Sequence, residues 1–270
     1  MRFKDAQIII SARSPKKTEV FEPFGLRISD LIRSTVITCE MSAAQQESLS
    51  HPPVAVITGA AQGIGRAIAI KLASEGYQLA LGDLLSNQNQ LQLVIDECTN
   101  IQRSTRSSQG IIPRTLAVVC DVSSEPQVES LVQTAVRDLG GIDVMVANAG
   151  IYKGATLLET TDKILDDVYA VNVKGVLYSY RAAARAMIPR GGGRIVGACS
   201  AAGKSGFPLE GAYCASKFAV RSLTQTAARE WGQHGITVNT YAPGPTDTDM
   251  WNKVVMTEAP GRAEESVRKT

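Results

Sequence analysis

Tyr213-Cys214-Ala215-Ser216-Lys217 sits within residues 210–232, whose Ala, Leu, Gln, Arg and Glu content reads as one long helix. Residues four apart share a helix face, so the Tyr213 phenol and the Lys217 ammonium can meet one ligand. A free phenol, with a pKa of about 10, is a poor acid–base catalyst at neutral pH. A fixed cation beside it favours the phenolate and draws that pKa toward the working range. Such a pair can pass a proton to or from an oxygen. The same spacing also arises by chance on solvated helices, so the rest of the chain must decide.

The elements that would position this pair are legible from residue 53 onward. Apolar, β-branched runs at 54–58, 78–82, 115–120, 142–147, 194–199 and 236–241 predict strands. Between them, 64–74, 87–98, 125–139, 161–187 and 210–232 predict helices, with a polar loop over 101–112. This alternation specifies an α/β fold: one doubly wound parallel sheet with helices on both faces and right-handed crossovers. Ligands are then expected at the carboxyl ends of the strands.

The first of those ends carries Thr58-Gly59-Ala60-Ala61-Gln62-Gly63-Ile64-Gly65 and runs straight into a helix. Glycines there permit a tight turn and let backbone N–H groups and the helix N-terminus approach a pyrophosphate. Any tight strand-to-helix turn uses Gly, but here Asp83 closes the next strand, 18 residues beyond Gly65. A carboxylate at that place suits a ribose diol and repels a 2′-phosphate. Neither Gln62 nor Leu84 supplies an offsetting cation, so NAD(H) is favoured over NADP(H). The plainer alternative for Asp83 is a helix N-cap.

Gly59-x-x-x-Gly63-x-Gly65, Asn148-Ala149-Gly150, Asn172, Ser200, Tyr213-x-x-x-Lys217 and Pro243-Gly244 follow the order and spacing of the short-chain dehydrogenases/reductases, which the chain resembles over about 53–251. The resemblance implies a catalytic set of Asn172, Ser200, Tyr213 and Lys217. It implies a dinucleotide held by Gly59, Gln62, Gly63, Ile64, Gly65, Asp83, Asp121, Val122, Asn148, Ala149, Gly150, Tyr213, Lys217, Pro243, Gly244, Thr246 and Thr248. Asp121 would border the adenine by its side chain and Val122 by its backbone. Asn172 would hold a water that links Lys217 to solvent, and Thr246 and Thr248 would hold the carboxamide. Taken singly, Ser200 also reads as a loop hydroxyl, Asn172 as a helix-bending polar residue, and the two threonines as turn caps. The implied reaction exchanges a secondary alcohol and a ketone by hydride transfer, with Tyr213 as acid/base and Ser200 on the oxygen. The run 216–229, with Met250-Trp251, is similar to the diacetyl/acetoin reductases (2,3-butanediol dehydrogenases) of that family. Phe207, Met250 and Trp251 are candidate pocket walls. Ala201 stands where those reductases would carry a polar residue, which keeps other ketones open, including ring ketones of secondary metabolism.

Composition narrows the rest. A net charge of +2 over 270 residues leaves no footprint for nucleic acid or an anionic membrane. No apolar run approaches the roughly 20 residues of a bilayer span. Five scattered cysteines and two histidines argue for free thiols and against a metal centre. Residues 1–52 are expected to be a disordered extension, with Met41 an alternative start and organellar targeting a minor alternative to a cytoplasmic location. Residues 53–270 form the dinucleotide-binding domain. Relatives continue into a seventh strand that builds dimers and tetramers, whereas no apolar strand run follows Met250 here. The expectation is a sheet edge at 236–241 that is exposed unless residues 1–52 cover it, with low stability and an impaired oligomer. A truncated, catalytically poor NAD-binding or scaffold protein is the competing reading.

Overall fold

The computed structural model describes residues 7–9, 52–104, 112–246 and 248–250. Its strands are β1 (Gln7–Ile9), β2 (Val54–Thr58), β3 (Gln78–Asp83), β4 (Thr115–Val119), β5 (Val144–Ala147), β6 (Gly193–Ala198) and β7 (Ile236–Ala242). They form one sheet in the order β1-β7-β6-β5-β2-β3-β4. Strands β2 to β7 are parallel. The chain builds β2, β3 and β4 outward, then returns to lay β5 against the other side of β2. That reversal opens a crevice at the strands' carboxyl ends.

The helices are α1 (Gly63–Ser74), α2 (Gln88–Ser104), α3 (Glu125–Leu139), α4 (Asp162–Tyr169), α5 (Gly175–Met187) and α6 (Gly211–Trp231). The central strand shows why both faces are covered. Val54 and Val56 pack into the core with α3, α5 and α6, while Ala55 and Ile57 pack into the core with α1 and α2. A strand buried on both faces needs an unbroken apolar run, which Val-Ala-Val-Ile supplies.

Three features depart from the sequence reading. The helix expected over 161–187 is interrupted by a π turn, Ala170–Lys174, between α4 and α5. The extra residue re-aims one side chain, and Asn172, fully buried, is the one it turns inward. Helix α2 runs to Ser104, past its expected end at Cys98. Gln102 explains this: completely buried, it donates to the Tyr77 carbonyl at 2.7 Å and accepts from Thr115 Oγ1 at 2.9 Å.

The third is at the sheet edge. Gln7–Ile9, inside the stretch expected to be disordered, pairs antiparallel with β7 in the register Gln7↔Ala242, Ile8↔Tyr241 and Ile9↔Thr240. The edge, expected to lie open unless residues 1–52 cover it, is covered from within that stretch along the last three residues of β7. The remainder of the N-terminal extension, Trp251 and the rest of the C-terminal stretch lie outside the described residues. Among the described residues, no helix is long and apolar enough to cross a membrane, and no cluster of His, Cys, Asp or Glu is arranged for a metal.

Candidate active site

At the end of β2 the chain turns through Gly59 (φ 65°) and Gly63 (φ 54°), both in the left-handed region that favours glycine. Gly65 is required for a different reason: a Cβ there would stand 2.1 Å from the Gly59 carbonyl oxygen. The N-terminus of α1 carries no side-chain cap and no acidic residue in its first turn. Its free N–H groups and positive dipole end face the crevice, which suits a phosphate group.

Asp83 is buried at the end of β3 and uses both carboxylate oxygens. Oδ2 accepts from Ala61 N at 2.8 Å, and Oδ1 accepts from Leu84 N and Asn87 Nδ2, each at 2.8 Å. It is not the N-cap of the short turn that follows, whose cap position is Leu84 without a side-chain cap; it holds the start of that turn through Leu84 and Asn87 and ties the glycine turn to β3. Of about four acceptor positions on a carboxylate, one on Oδ2 is left for a ligand. Asn148, at the end of β5, donates through Nδ2 to the carbonyls of Thr58 and Gly59, both at 3.0 Å. Its Oδ1 accepts from the Tyr241 hydroxyl at 2.6 Å. Asp121 turns its carboxylate into its own loop, accepting from Ser123 N and Oγ. Thr246 Oγ1 donates to the Gly244 carbonyl and Thr248 Oγ1 to the Thr246 carbonyl, so both hydroxyls brace their turn.

At the other end of the crevice, α6 presents Tyr213 and Lys217 together, with Lys217 Nζ 5.4 Å from the phenol ring centre. Lys217 is buried and donates to the Ala198 carbonyl at 2.8 Å. Without a carboxylate partner, desolvation draws its pKa down to about 8. Tyr213 shifts the other way from the sequence expectation. Burial pushes its pKa up, the hydrogen bond with Ser200 opposes that, and Glu210 adds to the rise. At 5.4 Å the Lys217 ammonium, spent on a backbone carbonyl, does not outweigh the loss of water around the phenol. The rings of Tyr152 and Tyr213 pack at 5.3 Å and 58°. Ser200 also accepts from Ala202 N at 3.2 Å, capping the turn after β6. Asn172 clamps the loop after β5: Oδ1 accepts from Ile151 N, and Nδ2 donates to the Ile151 carbonyl and to Ser216 Oγ.

One cleft of about 440 Å³ joins the two ends. Its lining holds Gly59, Gln62, Gly63, Ile64, Asp83, Asp121, Val122, Asn148, Ala149, Gly150, Tyr213, Lys217, Pro243 and Thr248. Gly65, Asn172, Ser200, Gly244 and Thr246 stand outside that lining, as does Phe207, while Met250 belongs to it. Sequence reasoning missed Thr58, Asn87, Tyr152 and Tyr241. Thr58 had a signal, a hydroxyl closing an otherwise apolar strand, and Tyr241 had one in its place just before Pro243-Gly244. Asn87 and Tyr152 had none beyond proximity to Asp83 and Gly150.

Residues 53–259 match the family model described as short chain dehydrogenase. A short-chain dehydrogenase/reductase of Armillaria gallica is 42% identical over 226 residues, 83% of each chain. An L-2,3-butanediol dehydrogenase of Corynebacterium glutamicum is 40% identical over 202 residues, 74% of each chain. Among solved structures, levodione reductase superposes with a TM-score of 0.72 at 32% identity, covering 80% of this chain and 82% of its own. With the paired phenol and ammonium, the glycine turn and these relatives in agreement, the chain belongs to the short-chain dehydrogenase/reductase family, oxidoreductases of alcohols and ketones that use a nicotinamide cofactor.

Proposed function

We propose that this chain is an NAD(H)-dependent oxidoreductase that interconverts a ketone and a secondary alcohol. One observation carries the reading: Tyr213 and Lys217 open on the same cleft as the glycine turn and Asp83. The residues fit a dinucleotide, since an uncapped helix N-terminus would hold the phosphates and a buried carboxylate with an unused acceptor would hold the ribose. Among the described residues lining the cleft, Lys217 is the only lysine or arginine, and it lies at the catalytic end. Among the described residues lining the cleft, no cation beside Asp83 offsets a 2′-phosphate, which supports NAD(H) over NADP(H).

When bound, the nicotinamide supplies or accepts the hydride. Tyr213 gives its proton to the substrate oxygen in reduction and recovers it in oxidation. Ser200, hydrogen-bonded to Tyr213, donates to the same oxygen as negative charge develops. Lys217 places a buried positive charge near the phenol at pH values below about 8. Asn172 fixes the loop that closes this end of the cleft. The butanediol dehydrogenase relative points to acetoin-type substrates, while Ala201, which offers no group for a second oxygen, favours substrates with one carbonyl at the reacting centre.

The test follows NADH consumption against a panel of diketones, acyclic ketones and ring ketones, with Tyr213→Phe as control. Turnover that the control loses supports the reading. Dinucleotide binding without turnover on any member would favour a binding or scaffold role instead.

A further inference from the structure

Tyr241 lies on β7, two strands away from β5 across β6. It is 3% exposed, and its ring spans the end of β6 to bring its hydroxyl to Asn148 Oδ1 at 2.6 Å. Asn148 in turn reaches the carbonyls of Thr58 and Gly59, and its backbone N–H donates to Thr58 Oγ1 at 3.0 Å. A continuous chain of hydrogen bonds thus runs from β7 through β5 to the glycine turn on β2. The amide can sit only one way round. The two backbone carbonyls accept and never donate, so the NH₂ must face them and the oxygen must face Tyr241. The phenol is then the donor that satisfies that oxygen.

We infer that Tyr241 is a positioning residue for the dinucleotide: by holding the Asn148 amide in place, its hydroxyl fixes the glycine turn that receives the phosphates. The turn has no slack to absorb a loosened clamp. Asn148 Nδ2 and the Gly59 carbonyl both crowd the space beside Gly65, at 2.6 Å and 2.1 Å from where a Cβ would be. Tyr241 also lines the cleft, so the same ring bounds the space that the dinucleotide enters. Without the hydroxyl, Asn148 Oδ1, half-buried at the wall of the cleft, loses its donor, and the amide gains freedom at the point that sets the turn.

The inference rests on the dinucleotide reading, and the test separates the two. Tyr241→Phe keeps the ring and removes only the hydroxyl. NADH affinity, measured by protein-to-cofactor fluorescence transfer without substrate, should weaken about tenfold, the scale of one lost hydrogen bond. Under turnover, the loss should fall on KM for NADH more heavily than on kcat. Asn148→Ala should weaken binding similarly, and the double variant should be no weaker than the worse single one, since both break one chain. Effects that multiply, or a wild-type affinity in Tyr241→Phe, would overturn the inference. Should Asn148→Ala not fold, amide hydrogen exchange at Gly63 and Gly65 in cofactor-free Tyr241→Phe decides. Faster exchange is expected, and unchanged exchange sinks the idea. A wild-type chain that binds no dinucleotide would sink the functional reading alone, because the exchange experiment needs no ligand.

Discussion

The two ends of the cleft are built on opposite principles. At the dinucleotide end, polar side chains are hydrogen-bonded nearly to saturation: Asp83 accepts three hydrogen bonds, with one acceptor position left for a ligand, and Asn148 makes three through its amide. At the catalytic end, titratable groups are buried with little to compensate them. Burial drives Tyr213 up, draws Lys217 down and raises the Cys199 thiol. A saturated network holds a fixed shape and contributes to stability. An uncompensated one stores unfavourable electrostatics that a bound charge can relieve, as catalytic sites require. Substitutions should therefore separate: at the first end binding and stability fail together, and at the second chemistry fails while stability holds or rises.

The largest effect that this contrast predicts is at Tyr213. Tyr213→Phe removes the proton and keeps the ring packed against Tyr152. Turnover should fall by about 10²–10⁴-fold, the usual scale for a lost acid–base group. Melting temperature should hold and dinucleotide binding should persist. A large loss of thermal stability with modest loss of rate would reverse the assignment of the two ends.

Next comes Gly65→Ala at the saturated end. Its Cβ would meet backbone at 2.1 Å, which cannot move away as a flexible side chain could. A destabilisation on the order of 3 kcal/mol is expected, with dinucleotide binding lost in parallel. Gly206→Ala is the control, because nothing stands within 4 Å of its Cβ position, and it should leave the melting curve nearly unmoved.

These residues also show what the sequence made legible. The β2 run, the glycine turn and Asp83 were readable because periodicity and turn chemistry are local properties. Tyr213 and Lys217 were readable because helical spacing alone puts them on one face. The direction of the Tyr213 shift was not, since it depends on how much water the fold excludes and on Lys217 being engaged by Ala198, a residue on another element. The π turn at Ala170–Lys174 was hidden for a similar reason: it exists so that Asn172 can clamp Ile151, a contact across 21 residues. The extension of α2 turned on Gln102, a residue whose polarity argues for solvent until its partners on Tyr77 and Thr115 are known. The β1–β7 pairing joins residues more than 200 apart, and no local pattern announces such a register.

Lys217→Met sharpens the comparison through pH. The folded pKa of about 8 lies below the ordinary 10.5, so between those values the unfolded chain binds more protons than the native one. Stability contributed by this group therefore rises with pH across that window, with a slope of up to about 1.4 kcal/mol per unit. Methionine removes the charge that is unfavourable to bury. Below pH 8 the variant should be the more stable protein, less about 1 kcal/mol for the hydrogen bond to Ala198. The gap should close as pH approaches 10.5. Paired denaturant titrations at pH 7 and pH 10 measure it, and the difference between the two proteins isolates Lys217 from the buried tyrosines and thiols. A variant less stable at pH 7 would place Lys217 with the saturated groups.

The smallest effect is expected at Leu209, just before the helix that carries Tyr213. It is the one non-glycine among the described residues with positive φ, at 67°. A bulky side chain there costs about 1–2 kcal/mol in backbone strain, which asparagine tolerates far better. Its carbonyl accepts from Ala155 N at 2.9 Å and so locks the loop after β5 to the entrance of α6. That hydrogen bond uses backbone atoms alone and survives substitution. Against the relief stands lost burial of a partly exposed leucine, on the order of 1 kcal/mol or less. Relief should win narrowly, so Leu209→Asn is expected to raise the melting temperature by about 1–3 °C. A fall would mean that leucine packing, rather than the Ala155 hydrogen bond, holds this residue in its left-handed conformation. The strain at the catalytic end would then be confined to its charges.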